Sequence, residues 1–223
     1  MKFNKACTVA LVSLALWAVP SYGQLTLNFA ANTGATLQFN GAGGSFQFTS
    51  PAANGYQWHI TSETGGSSAI GLNGFFNTTP FLYGPITSTG SGITLVQKAT
   101  VTSPIANLTI FDGSGNLSGA VNFVDVETFA AAGGGMNANL AVNLTGVTYS
   151  GSNPDLLFLK AHQPGTLDLS FQFSPGKTLT QLSTGTGPYA TSFSGSLIVV
   201  PEPSALALAG LGGLVLLHLR RRK

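Results

Sequence analysis

An all-β protein, an antiparallel β-sandwich of jelly-roll or Greek-key type, is the fold class that three features of this 223-residue sequence predict. Apolar and polar residues alternate with period two in many short segments, the mark of strands with one buried face. Glycine-rich turns separate these segments every 8–15 residues or so, a spacing that suits a sandwich. Between residues 24 and 200 no amphipathic stretch of helical length occurs, and the closest, Ala130 to Ala141, is broken by Gly133-Gly134-Gly135. A β-helix is the alternative architecture, although no fixed rung period of about twenty residues is present. Aromatic residues distributed through the Gly/Ser/Thr/Asn-rich chain argue against disorder.

Lys2 and Lys5 precede an apolar run from Ala6 to Val19, and Pro20-Ser21-Tyr22-Gly23 follows. A basic start, an apolar stretch of this length and small residues at its end predict a secretory signal peptide over residues 1–23. Cys7 leaves with it, so the exported domain, residues 24–199, is expected to contain no cysteine. Disulfides, zinc–thiolate sites, iron–sulfur clusters and thiol nucleophiles are thereby excluded.

Strands are expected at Leu25–Phe29, Leu37–Phe39, Phe46–Phe48, Tyr56–Ile60 and Leu167–Phe173, where the alternation is strict. Further candidates lie near 93–102, 106–111, 120–129, 139–149, 156–160 and 191–200. The alternation slips within 121–129 and again at Gly146, which suggests bulges or strand ends. Turn-formers such as Gly41-Ala-Gly43-Gly44, Gly65-Gly66, Gly113-Ser-Gly115-Asn116 and Gly151-Ser-Asn153-Pro154 separate the segments. One near-repeat, Ser45-Phe-Gln-Phe against Ser170-Phe-Gln-Phe, reads as two similar strands rather than a duplication.

Charge excludes one function class outright. Residues 24–200 hold three lysines (Lys98, Lys160, Lys177) and no arginine against six acids, a formal net charge of −3. A domain without a basic patch cannot neutralise phosphates, so no nucleic-acid partner is expected.

No catalytic residue is assigned and neither a cofactor nor a metal is expected. His59 lies on the polar face of a strand, His162 in a loop and His218 near the C-terminus, and nothing in the sequence brings two of them together. Asp112-Gly-Ser114-Gly-Asn116 spaces oxygens as calcium loops do, but Leu117 stands where that loop needs glycine and Phe123 where it needs its final acid. A hairpin turn explains it better. Asp125 and Glu127, two apart, face one side of a strand. They suit a solvated strand face better than the paired carboxylates of a glycoside hydrolase. Phe75, Phe81 and Tyr83 fall in segments that read as irregular; they are the candidate sugar contacts of a carbohydrate-binding module, although aromatics in such Gly-rich segments suit capping the end of a sandwich core better.

The C-terminal segment, residues 200–223, has three parts. Val200-Pro201-Glu202-Pro203 is held extended by its prolines. An apolar run predicts a transmembrane helix over residues 204–219, short for a bilayer at 1.5 Å per residue. Arg220, Arg221, Arg222 and Lys223 form a basic end that the positive-inside rule keeps in the cytoplasm. This order resembles the PEP-CTERM sorting signal of Gram-negative bacteria. The resemblance implies recognition and cutting near the motif by an exosortase, a membrane-embedded cysteine-peptidase-like enzyme. It further implies transient anchoring in the inner membrane, then release to the cell surface or extracellular space, with association with extracellular polysaccharide or biofilm matrix. The sequence as a whole is read as a non-enzymatic exported surface or matrix protein.

Overall fold

The structure is a computed structural model that describes residues 23–51, 55–77, 79–103, 105–129 and 144–201. The expected signal peptide, apolar helix and basic end lie outside them, apart from Gly23. Among the described residues no helix is long and apolar enough to cross a membrane.

Among the described residues fifteen strands dominate: β1 (Leu25–Ala31), β2 (Thr36–Phe39), β3 (Ser45–Thr49), β4 (Trp58–Thr64), β5 (Asn73–Phe76), β6 (Phe81–Tyr83), β7 (Thr87–Thr89), β8 (Val96–Ser103), β9 (Ala106–Phe111), β10 (Asn116–Val121), β11 (Asp125–Phe129), β12 (Leu144–Tyr149), β13 (Thr166–Phe171), β14 (Tyr189–Thr191) and β15 (Phe193–Val199). Two short helices, α1 (Pro154–Ala161) and α2 (Leu179–Thr184), flank β13. One sheet runs β12-β10-β9-β5-β4-β1-β15-β13, and the other β11-β8-β6-β3-β2-β14 with β7 also on β8. Every strand pairing among the described residues is antiparallel. The β-helix alternative, which needs parallel rungs, is therefore overturned. The larger sheet curls until its ends meet, for Leu144 at the start of β12 exchanges two backbone hydrogen bonds (2.9 and 3.3 Å) with Gly165 beside β13.

Period-two alternation sets which side chains enter the core. Leu25, Leu27 and Phe29 of β1 and Leu167, Leu169 and Phe171 of β13 are buried, while the residues between them face outward. Rings from the two sheets meet in one core: Phe48 of β3 lies 4.6 Å from Phe76 of β5 and 5.0 Å from Phe193 of β15. Phe39 of β2 is 5.4 Å from Phe171. Buried Gln57 bridges the sheets, donating to the Phe48 carbonyl and accepting from the Phe76 amide. Its polar ends are thereby satisfied, as burial requires. Gly74 of β5 is dictated by packing, because a Cβ there would stand 2.3 Å from the Trp58 ring.

Both anticipated slips are real. The chain leaves one sheet for the other between Val121 and Asp125. At Gly146 the β10–β12 register shifts by one residue, and φ of +62° marks a bulge. Two expectations fail. Residues 156–160, expected as a strand, lie in α1, so the body does contain helix. The reason is local: Asn153 caps the helix by accepting from the Asp155 and Leu156 amides, Pro154 takes the first position, and Asp155 meets the positive end of the dipole. Likewise Thr178 and Gln181 form a capping box that starts α2, which Gln97 and Thr128 fasten by accepting from the Thr180 and Leu179 amides.

Candidate functional site

The C-terminal junction is built from β15, an interior strand paired with β1 on one side and β13 on the other. Ile198 stands opposite Thr26 and Thr166, and Val199 opposite Leu25. Val199 is 1% exposed and Val200 59% exposed, so the chain passes from core to solvent within one residue. Pro201 follows. Glu202, Pro203 and Arg220 to Lys223 lie outside the described residues.

The three candidate sugar contacts separate. Phe81 is fully buried and Tyr83 8% exposed, so neither ring is open to a sugar, and the expectation fails for both. They belong to β6, a three-residue strand with both aromatics on its inner face, where they stack with Phe46 at 5.1 and 6.3 Å. Burial pushes the Tyr83 phenol up to about 12, an effect the nearby Ser183 hydroxyl offsets in part. Phe75, by contrast, is half-buried on the outer face of β5 and lies parallel to Phe111 of β9 at 5.8 Å. Tyr56 packs on the same Phe111 ring at 5.0 Å. Asn73 stands opposite both Phe111 and His59 in the sheet, and it accepts a hydrogen bond from Asn32. Tyr56, Phe75 and Phe111 thus form an aromatic platform on the outer face of the larger sheet, edged by amides and an imidazole.

His59 and His162 are held by separate parts of the fold, and His218 lies outside the described residues. His59 Nδ1 is 2.7 Å from Asn32 Oδ1, whereas His162 Nδ1 is 2.9 Å from the Phe158 carbonyl and stacks on that ring. Among the described residues no three His, Cys, Asp or Glu side chains converge as metal ligands would.

Asp125 Oδ2 is ion-paired with Lys98 Nζ at 2.6 Å, and Glu127 stands opposite Lys98 in the β8–β11 register. The Asp125 hydrogen bond, with both acidic charges beside it, raises the Lys98 ammonium above its ordinary range.

The Asp112–Asn116 segment is the β9–β10 turn. Asp112 accepts from the Ser114 and Gly115 amides at 2.7 and 2.6 Å, from the Ser114 hydroxyl, and from the Tyr149 phenol. The Tyr149 hydrogen bond contributes most to holding this carboxyl down at about 2. These are the contacts of a braced turn, with its oxygens engaged.

One cluster escaped the sequence reading. Asp155, at the start of α1, accepts from the Ser67 and Ser68 amides (3.2 and 2.6 Å) and the Ser68 hydroxyl. Glu63 of β4 accepts from the neighbouring Ala69 amide at 3.0 Å. Burial raises Glu63, and the Asp155 charge adds to the rise. Burial acts upward on Asp155 too, but the Ser68, Ser67 and Ala69 donors together outweigh it and its carboxyl is lowered. Two carboxyls thereby tie the β4–β5 loop to the helix. Their separation of 92 positions in the chain gave no local signal. A shallow groove over β1, β15 and β13, lined by Asn28, Thr61, Asp168, Ser170, Ser194 and Ser196, was equally invisible, because its members come from four strands.

Searches against curated proteins and against solved structures each returned no match. Residues 199–223, which begin on the last residue of β15, match the family model of the PEP-CTERM protein-sorting motif.

Proposed function

We propose that this chain is an exported, non-enzymatic surface or extracellular-matrix protein of a Gram-negative bacterium. Its tail is held in the inner membrane through residues 204–219 and cut near Pro201-Glu202-Pro203 by an exosortase-type enzyme. The observation that carries the reading is the sorting-motif match at residues 199–223, placed where the chain leaves the last strand. The −3 charge of the expected exported domain, against the four cations of Arg220 to Lys223, fits a neutral-to-acidic cargo on a basic cytoplasmic stop. We read the two sheets, between which the chain crosses repeatedly, as a β-sandwich of Greek-key type. Mass spectrometry of the extracellular protein tests the reading: the released form should lack Arg220 to Lys223. An extracellular form that keeps Lys223 would refute it.

A second reading, binding of a neutral polysaccharide, is favoured by the Tyr56–Phe75–Phe111 platform. Flat ring faces take the C–H faces of sugars, while the adjoining Asn73 and His59 supply hydrogen-bonding groups without formal charge. Phe75→Ala and Phe111→Ala should abolish retardation of the protein in a gel cast with the native extracellular polysaccharide. Unchanged retardation in both variants would dismiss the platform as the binding surface.

A further inference from the structure

The segment that matches the sorting motif begins inside the fold. Leu197, Ile198 and Val199 each have a backbone partner on β1, and Leu197 and Ile198 have one on β13 as well. Leu197 and Val199 are buried, at 2% and 1% exposure. Only Val200 separates this strand from Pro201. Four residues, 200–203, lead to the expected helix, and fully extended they reach about 14 Å. A peptidase that takes an extended substrate satisfies the backbone groups on both sides of the scissile bond, much as a sheet edge takes an added strand. For a cut at the front of the motif, after Pro201, the third and fourth residues on the N-terminal side are Val199 and Ile198, whose backbones are already paired in the sheet. Proline removes a further donor at position 201.

We propose that the fold itself gates processing: the end of β15 must leave the sheet, or must not yet have entered it, before the tail can be cut. This rests on the sorting reading and concerns its control. The reaction is ordinary peptide hydrolysis, in which the scissile C–N bond breaks, water supplies the oxygen of the new carboxylate and the departing amine takes a proton. Only the fraction of chains with a free β15 end is competent for it, and the observed rate scales with that fraction. A chain whose last strand has docked is therefore retained at the membrane longer than one still folding.

The test uses the full-length chain in membranes that contain the processing enzyme. Thr26 and Ile198 are direct cross-strand partners on the outer face of the sheet, and both are half-buried. Cysteines at such positions lie within disulfide reach, and Cys7 is the only native cysteine. The oxidised Thr26→Cys/Ile198→Cys chain is compared, in the same buffer without reductant, with the single Ile198→Cys chain. The locked chain should be cut about tenfold more slowly or worse. A six-residue Gly/Ser insert between Val199 and Val200 should restore the rate in the locked chain. The same insert should speed release of the otherwise unaltered chain, a readout that does not depend on the cysteine pair folding. Equal rates for locked and unlocked chains, or slowing that the insert does not relieve, would overturn the gating. Replacing Pro201, Glu202 and Pro203 together by alanine in the unlocked chain separates the two ideas. Loss of processing leaves the sorting reading standing whatever the lock does, whereas unchanged processing overturns that reading and the gate with it.

Discussion

Phe48 is the side chain whose removal tests the architecture most directly. It is 1% exposed, and its ring lies 4.6 to 6.4 Å from those of Phe46, Phe76, Phe81, Phe123 and Phe193. Two of these neighbours, Phe76 and Phe193, belong to the opposite sheet. Withdrawing a fully buried phenyl group forfeits about 2–3 kcal/mol of transfer free energy. The cavity left among five rings that cannot all collapse brings the loss to about 3–5 kcal/mol. With a urea m-value of about 2 kcal/mol/M, Phe48→Ala should lower the denaturation midpoint by about 2 M. Phe75→Ala, half-exposed on the outer face, should cost only about 1 kcal/mol.

A double-mutant cycle then asks whether the sheets truly face each other. Phe48→Leu and Phe76→Leu are mild enough to leave a folded double variant, at about 1–1.5 kcal/mol each. Because the two rings touch across the sheets, their coupling should be about 0.5–1.5 kcal/mol. Coupling within about 0.3 kcal/mol of zero would refute the packing. A Phe48→Ala cost below about 1 kcal/mol would refute the inward assignment of β3 itself.

Three further outcomes follow from particular contacts. Tyr149→Phe removes the largest influence holding Asp112 at about 2, so a ¹³C NMR titration should find that carboxyl higher, though still lowered by the Ser114 and Gly115 donors. Since the native pKa lies below the unfolded value of about 3.9, the native contacts stabilise above pH 4 or so and lose their effect as pH falls toward 2; the Phe variant should lose less on acidification. Glu63→Gln should stabilise the protein at pH 7, because Glu63 is raised by burial and by Asp155 and its ionised form is disfavoured in the fold. That gain should vanish in urea titrations run below the usual carboxylate range, where wild-type Glu63 is protonated both folded and unfolded. Gly146→Ala puts a side chain at φ +62° with no atom within 4 Å of the new Cβ, so it should cost about 1–2 kcal/mol through backbone conformation alone.

How much of this fold could be read in the residues depended on strand length. β1 and β13 announce themselves, since Leu25-Thr-Leu27-Asn-Phe29 and Leu167-Asp-Leu169-Ser-Phe171 each repeat the alternation three times. β5, β6, β7 and β14 have three or four residues apiece, too few for a period of two to stand out among glycines and threonines. That shortness also accounts for the error at Phe81 and Tyr83. In a loop such rings suggest a binding surface; in a three-residue strand one parity decides both, and it points them inward. The helix over Pro154–Ala161 was legible in principle through Asn153, Pro154 and Asp155. Its apolar run of Leu156, Leu157, Phe158 and Leu159 fits a buried strand equally well, and only the cap separates the two.

The candidate sites divide along the same line. A sorting tail is local: its prolines, apolar run and cations are contiguous, so their order alone carries the reading. The aromatic platform is assembled from Tyr56, Phe75 and Phe111, on a loop and two strands that the sheet sets side by side. The Glu63–Asp155 clamp draws on the end of β4 and the start of α1 in the same way. Contacts of this kind depend on which strands become neighbours, and that order, β9-β5-β4-β1-β15, is fixed by long-range burial of one face rather than by any short run of residues. The junction at Val199 shows both influences at once. The tail was evident from contiguous residues, yet the placing of Val199 at the end of an interior strand came only from its pairing with Leu25, 174 positions earlier in the chain. That pairing is what ties the start of the sorting-motif match to the last strand of the sheet.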